Sequence, residues 1–148
     1  MPTDTPPNTL YVIDAFAQMF RAYYAIRGGM TSPVTGEPTN ATFAFSAMLI
    51  KLFEQYKPEY VAIASDAKGK TFRDDIYPKY KANRDAPPED FTAQIPRMFE
   101  IARLFGIPII EAPGYEADDI LATLAVRVEN GQFDDTLPGI HMRKELNV

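Results

Sequence analysis

An α/β fold with a parallel central sheet flanked by helices is predicted by three features of the sequence. Short β-branched or aromatic runs occur at residues 9–13, 60–64 and 107–110, helical patterns separate them, and an acid follows each run, at Asp14, Asp66 and Glu111. Parallel neighbours need long crossovers, and alternating helices supply them while covering both faces of the sheet. The length of 148 residues suits one such domain.

The first run, TLYVI, reads as a buried strand ending at Asp14, and a helix is expected from about Ala15 to Ile26. Gly28, Gly29, Pro33, Gly36 and Pro38 then mark a loop, after which Thr39 or Asn40 can cap a second helix reaching about Tyr56. Its packed face is expected along Phe43, Ala47, Ile50 and Glu54. Pro58 stops that helix, and YVAIA at 60–64 forms the second strand. Residues 68–92 carry no long apolar period but many charges, and such a stretch inside a compact domain points to function or mobility. Helix returns from about Ala93 to Phe105, with Pro96 acceptable only in the first turn and Gly106 placed to end it. A third strand at 107–110 precedes a helix from about Tyr115 to Glu129, whose Ile120, Leu121, Leu124 and Val128 form an apolar face. Residues 1–8 are expected to be a disordered polar tail, 9–129 the domain, and 130–148 a divergent C-terminal tail.

Composition narrows the chemistry. With 46% apolar and 24% charged residues the chain can bury a substantial core, which excludes disorder throughout. It has no cysteine, which removes disulfides, thiol nucleophiles and thiolate zinc sites, and its one histidine, His141, lies in the expected tail. The net charge of −5 argues against a generally basic nucleic-acid binder, so an anionic ligand needs a local basic patch. No apolar stretch approaches the roughly 20 residues that span a bilayer, and the start lacks the features of a secretory signal, so no membrane partner and a cytoplasmic location are expected.

In open parallel sheets, ligands sit outside the carboxyl ends of the strands. Asp14, Asp66, Glu111 and the start of the last helix are expected there, and carboxylates gathered in one place repel unless a cation neutralises them. In Glu116-Ala117-Asp118-Asp119 the spacing of three puts Glu116 and Asp119 on one helical face, with Asp118 about 100° away. Oxygen ligands without histidine or thiolate favour Mg²⁺ or Mn²⁺, and a two-metal site would suit phosphodiester hydrolysis by water. For any one of these acids the alternative stays open that it caps a helix or offsets a helix dipole. Glu111 reads as a turn residue or as one removed from direct ligation.

Between 68 and 84, Lys68, Lys70, Arg73, Lys79, Lys81 and Arg84 stand against Asp74 and Asp75, a local charge of +4 in a negative chain. Lys and Arg bind phosphates without sequence preference, and the interleaved Phe72, Tyr77 and Tyr80 can stack on unpaired bases. A solvated surface loop packed down by its tyrosines is the plainer alternative.

The string DAKGKTFRDDIYPKYKANR at 66–84, with QIP at 94–96, GIP at 106–108 and PGYEADD at 113–119, resembles the bacterial 5′-nuclease family over about residues 9–129. Within that family the resemblance is to 5′→3′ exonuclease N-terminal domains of the PIN-like α/β fold. It implies Mg²⁺-dependent cleavage of DNA at 5′ ends and flaps, including removal of RNA primers, with two ions in the complete family site. It further implies Asp14, Asp66, Glu116, Asp118 and Asp119 as metal ligands, and Lys81 and Arg84 as catalytic cations that contact the scissile phosphate or threaded strand. Arg73, Lys79 and Tyr80 join Lys81 and Arg84 as expected nucleic-acid contacts.

Two departures stand out. Ala15, Phe16 and Ala17 follow Asp14, where the family commonly has Gly and a small polar residue. The family also continues past the PGYEADD helix into a further strand with two more metal-binding acids and then a helical DNA-binding module. No such pattern follows here, and Asp134 and Asp135 lack a preceding apolar strand. The chain is therefore expected to be a front portion, with its C-terminal part missing, weakened metal affinity, and a sheet edge that favours self-association. A non-catalytic nucleic-acid-binding domain is the alternative function. An α/β phosphohydrolase with a nucleophilic Asp fits less well, because Phe16 stands where a second acid is needed.

Overall fold

The computed structural model describes residues 9–131, so the expected tail at 1–8 and nearly all of the one at 130–148 lie outside the described residues. Three parallel strands, β1 (Leu10–Asp14), β2 (Tyr60–Ala64) and β3 (Ile109–Ile110), lie in the order β1-β2-β3. Helices α1 (Ala15–Ala25) and α2 (Asn40–Tyr56) connect β1 to β2. The second crossover holds short α3 (Phe72–Ile76) and α4 (Glu89–Thr92) and then α5 (Ile95–Leu104), and α6 (Ala117–Glu129) follows β3. No helix among the described residues is long and apolar enough to cross a membrane.

Strand side chains alternate between two faces. Tyr11, Ile13, Val61, Ile63 and Ile109 point into a core shared with Met19, Phe45, Leu49 and Met98 of α1, α2 and α5. Leu10, Val12, Tyr60, Ala62 and Ala64 meet Ile120 and Leu124 of α6 on the other face. Strand β2, paired on both sides and covered above and below, is buried at every residue, which is why its sequence is an unbroken apolar run. Among the described residues β1 pairs on one side only.

The strand ends are in step: Asp14 is level with Ala64, and Ala64 with Ile110. All three strands thus deliver the chain to one rim, where α6 also begins. Strand β3 is shorter than its apolar run because the Ile107 N–H turns back to the Ala102 carbonyl at 3.1 Å and Pro108 has no N–H to give. Gly106, at φ +72°, makes that reversal at the end of α5. Pro96 lies in the first turn of α5, as its sequence position requires.

One helix face is corrected. Phe43 and Ile50 are 59% and 47% exposed, and Ala47 and Glu54 are exposed too, whereas Ala41, Phe45 and Leu49 are fully buried. Helix α2 carries two apolar stripes, and packing against α1 and α5 selects the one with two large side chains flanked by Met48 and Leu52.

The start of α2 is held from inside. Thr39 occupies the cap position without a side-chain bond, and Asn40 donates its amide to the Tyr23 carbonyl at 3.0 Å. The buried Gln94 completes this knot: its oxygen accepts from the Thr42 N–H at 3.0 Å, and its amide donates to Asn40 Oδ1 at 2.9 Å and to the Asp90 carbonyl at 2.8 Å. Sequence reading missed Gln94 as an organiser, although it stands immediately before the Pro-containing first turn of α5.

Candidate functional site

Each expected site residue is placed by an identifiable local cause. Asp14 ends β1 and caps α1, its Oδ1 accepting from the Ala17 N–H at 3.0 Å. Ser65, buried after β2, donates its N–H to the Ile110 carbonyl at 2.9 Å and fixes the exit toward Asp66. Asp66 Oδ1 accepts from the Ala117 N–H at 2.7 Å, tying the end of β2 to the first turn of α6. Glu111 follows β3 and is exposed.

Helix α6 starts at Ala117, two residues later than expected, because Glu116 is its cap with extended backbone at φ −97° and ψ 166°. Asp119 Oδ2 reaches back to accept from the Glu116 N–H at 2.9 Å. This turn points the Glu116 and Asp119 side chains toward the same cation and leaves Asp118 exposed.

That cation is Arg73. Its Nη1 donates to Glu116 Oε2 and to Asp119 Oδ2, both at 2.8 Å, and its Nη2 donates to Asp119 Oδ1 at 2.7 Å. Bidentate guanidinium–carboxylate pairing of this kind is both strong and directional. The Tyr80 hydroxyl donates to Glu116 Oε2 at 3.1 Å, and Lys81 Nζ donates to Glu116 Oε1. Glu116 is 7% exposed, so its charge is compensated almost wholly by protein groups. The hydrogen bonds from Arg73 hold the Asp119 carboxyl below the usual carboxylate range against an opposing cost of desolvation, and the charges of Arg73 and Lys81 add to the lowering. The same contact with Asp119 pushes Arg73 further above its already high value.

The basic segment presents these groups on short ordered elements. Helix α3 begins where Asp74 Oδ2 accepts from the Thr71 N–H at 2.7 Å, and the Phe72 N–H donates to the Gly114 carbonyl at 3.0 Å. Phe72 packs its ring against Tyr115, with centroids 5.6 Å apart, while the Arg73 guanidinium lies 4.5 Å from the Phe72 centroid. Residues 77–84 then run in consecutive turns, with Lys81 in the left-handed region at φ +58°. Lys79, Lys81 and Arg84 are exposed along this segment, as is Tyr77.

Hard oxygen donors without histidine or sulfur suit Mg²⁺ or Mn²⁺. The arrangement does not fit such an ion: among the described residues no group of three or more acidic or histidine side chains stands close enough to hold one. Both oxygens of Glu116 and both of Asp119 instead accept hydrogen bonds from protein donors. Sequence reading placed these acids at one rim but did not foresee Arg73 between two of them, since 43 residues separate Arg73 from Glu116 and no spacing rule connects them.

A family model described as 5′-3′ exonuclease, N-terminal resolvase-like domain, matches residues 9–137. The chain belongs to that family. This exonuclease-family chain is 43% identical over 116 residues to a DNA polymerase I of Chloroflexus aurantiacus, covering 78% of the chain and 12% of that relative. It is 41% identical over 126 residues to a 5′-3′ exonuclease of Aquifex aeolicus, covering 85% of the chain and 43% of that protein. It thus spans about an eighth of the polymerase and less than half of the exonuclease. Its fold is similar to that of T5 5′-exonuclease, in a structure with divalent metal ions (zinc) bound, with a TM-score of 0.61 at 20% identity over 82% of this chain and 45% of that one.

Proposed function

We propose that the chain is the amino-terminal part of a divalent-cation-dependent 5′→3′ exonuclease and flap endonuclease. In this reading it acts in the cytoplasm on DNA with a 5′ end or flap, and on RNA primers, during replication and repair. The observation that carries it is the pairing of a basic segment, Arg73 to Arg84, with carboxylates at the rim where three parallel strands end. Family membership and the names of the full-length relatives support the reaction type.

The roles divide by charge. Asp14, Asp66, Glu116, Asp118 and Asp119 are the carboxylates assigned to Mg²⁺ or Mn²⁺, with two ions in the complete site. Lys81 and Arg84 are assigned to the scissile phosphate, where fixed cations stabilise charge developing on phosphoryl oxygens. Arg73, Lys79 and Tyr80 are assigned to the strand. Water attacks phosphorus, the bond to one bridging oxygen breaks, and that oxygen leaves with a proton. In this structure Arg73 engages both Glu116 and Asp119, and Lys81 engages Glu116.

The test is cleavage of a labelled 5′-flap duplex with Mg²⁺ or Mn²⁺ by this chain and by Asp119→Ala. Metal-dependent release of the flap by the unaltered chain, lost in the variant, is expected. A folded chain that binds the duplex but leaves it intact in both metals would favour the non-catalytic binding reading. We also propose self-association of this chain, since among the described residues β1 has a strand neighbour on one side only. Sedimentation should show a concentration-dependent dimer, and a monomer at every concentration would refute that.

A further inference from the structure

Arg73 and Lys81 sit where the proposed function requires a divalent cation, and their chemistry is that of a substitute for it. Together they bring two positive charges to two carboxylates, the charge one Mg²⁺ or Mn²⁺ would carry. They also engage both oxygens of Glu116 and both of Asp119, the atoms an ion would need. We propose that the basic segment at residues 71–84 is a built-in counter-ion for the acidic turn of α6, and that segment and divalent cation compete for Glu116 and Asp119. The inference rests on the reading of these acids as a cation site.

Three observations support a segment able to leave. Its attachment is uneven: α3 is anchored through backbone by the Phe72–Gly114 hydrogen bond, whereas residues 77–84 reach α6 through the side chains of Tyr80 and Lys81. Lys81 has a left-handed backbone at φ +58°, a conformation uncommon for a residue other than glycine. Most of residues 77–84 are exposed, and little apolar surface is lost when they move.

Exchange has a further consequence for charge. With the segment docked, two of its four basic groups, Arg73 and Lys81, are spent on carboxylates. With a cation in their place, Arg73 and Lys81 become available to phosphates. Competition is reciprocal: whatever draws the segment away, a bound strand included, raises cation affinity by the same factor by which the cation weakens docking.

The experiment measures Mn²⁺ binding calorimetrically in three forms of the chain: unaltered, Arg73→Gln with Lys81→Gln, and Lys68→Gln with Lys70→Gln. The last pair removes the same charge from the same region without touching α6. Hydrogen exchange of the amides at 71–84 is followed in the unaltered chain with and without Mn²⁺, so one arm needs no substitution. The Arg73/Lys81 pair should bind Mn²⁺ at least tenfold more tightly than the Lys68/Lys70 pair, and Mn²⁺ should speed exchange at 77–84 in the unaltered chain. Equal affinities in the two double variants, or exchange unchanged by bound Mn²⁺, would overturn the competition while leaving the cation reading intact. Folded proteins that bind no Mn²⁺ in any form would overturn both.

Discussion

Glu116→Ala is expected to loosen residues 77–84 before it unfolds the domain. The carboxylate of Glu116 accepts from Arg73, Tyr80 and Lys81, and the last two are the contacts that bring the outer half of the basic segment to α6. Truncating one partner of a largely buried ion pair costs about 3–5 kcal/mol. The cationic partners here are about a third exposed, and water can take over part of their solvation, so about 2 kcal/mol is the expected loss. Most of it should fall on local opening, for which each 1.4 kcal/mol is about a factor of ten. Limited trypsin digestion, with sites at Lys79, Lys81 and Arg84, should therefore cut the variant at least tenfold faster under conditions where both proteins stay folded. Unchanged digestion would mean that the segment is held by something other than Glu116.

Gln94→Leu should be the more damaging change to global stability, although leucine is similar in size and the position is buried. It leaves the Thr42 N–H, Asn40 Oδ1 and the Asp90 carbonyl without the partner that now joins α2, α4 and α5. Each buried polar group left unpaired costs about 1–3 kcal/mol, and since the helix-start N–H and the Asp90 carbonyl can recruit water, about 3 kcal/mol in total is expected. That corresponds to a Tm lower by roughly 10 °C for a domain of this size. Urea unfolding with an unchanged m-value should report the same loss. A change below about 1 kcal/mol would show that the network is satisfied by water in the variant.

The two substitutions also mark where sequence reading succeeds and where it stops. YVAIA is legible as a central strand because burial on both faces demands an uninterrupted apolar run. Pro96, Gly106 and Pro58 are legible because each imposes a backbone constraint whatever its surroundings. The packed face of α2 is not, since Phe43, Ala47 and Ile50 (steps of four and three) fit a helical stripe as well as Ala41, Phe45 and Leu49 (steps of four) do, and only a neighbouring helix can choose between them. Local patterns likewise placed Asp14, Asp66, Glu116 and Asp119 at one rim, because strand ends and helix starts are local events. The partner of Glu116 is not local, and a long side chain such as Arg73 finds it by reach rather than by spacing.

The strand register bears on how the chain reaches this structure. Leu10 pairs with Tyr60 and Ala64 with Ile110, so each ladder closes a loop of roughly fifty residues before it returns any hydrogen bonds. Neither ladder can be nucleated by a hairpin, and high contact order slows folding by orders of magnitude relative to a helical bundle. The α1–α2 contact is closer in sequence and can form first, offering β1 and β2 a shared surface on which to meet. During synthesis, β1 must wait for some fifty further residues at about 5–20 residues per second, a delay of seconds in which an apolar strand has no partner of its own.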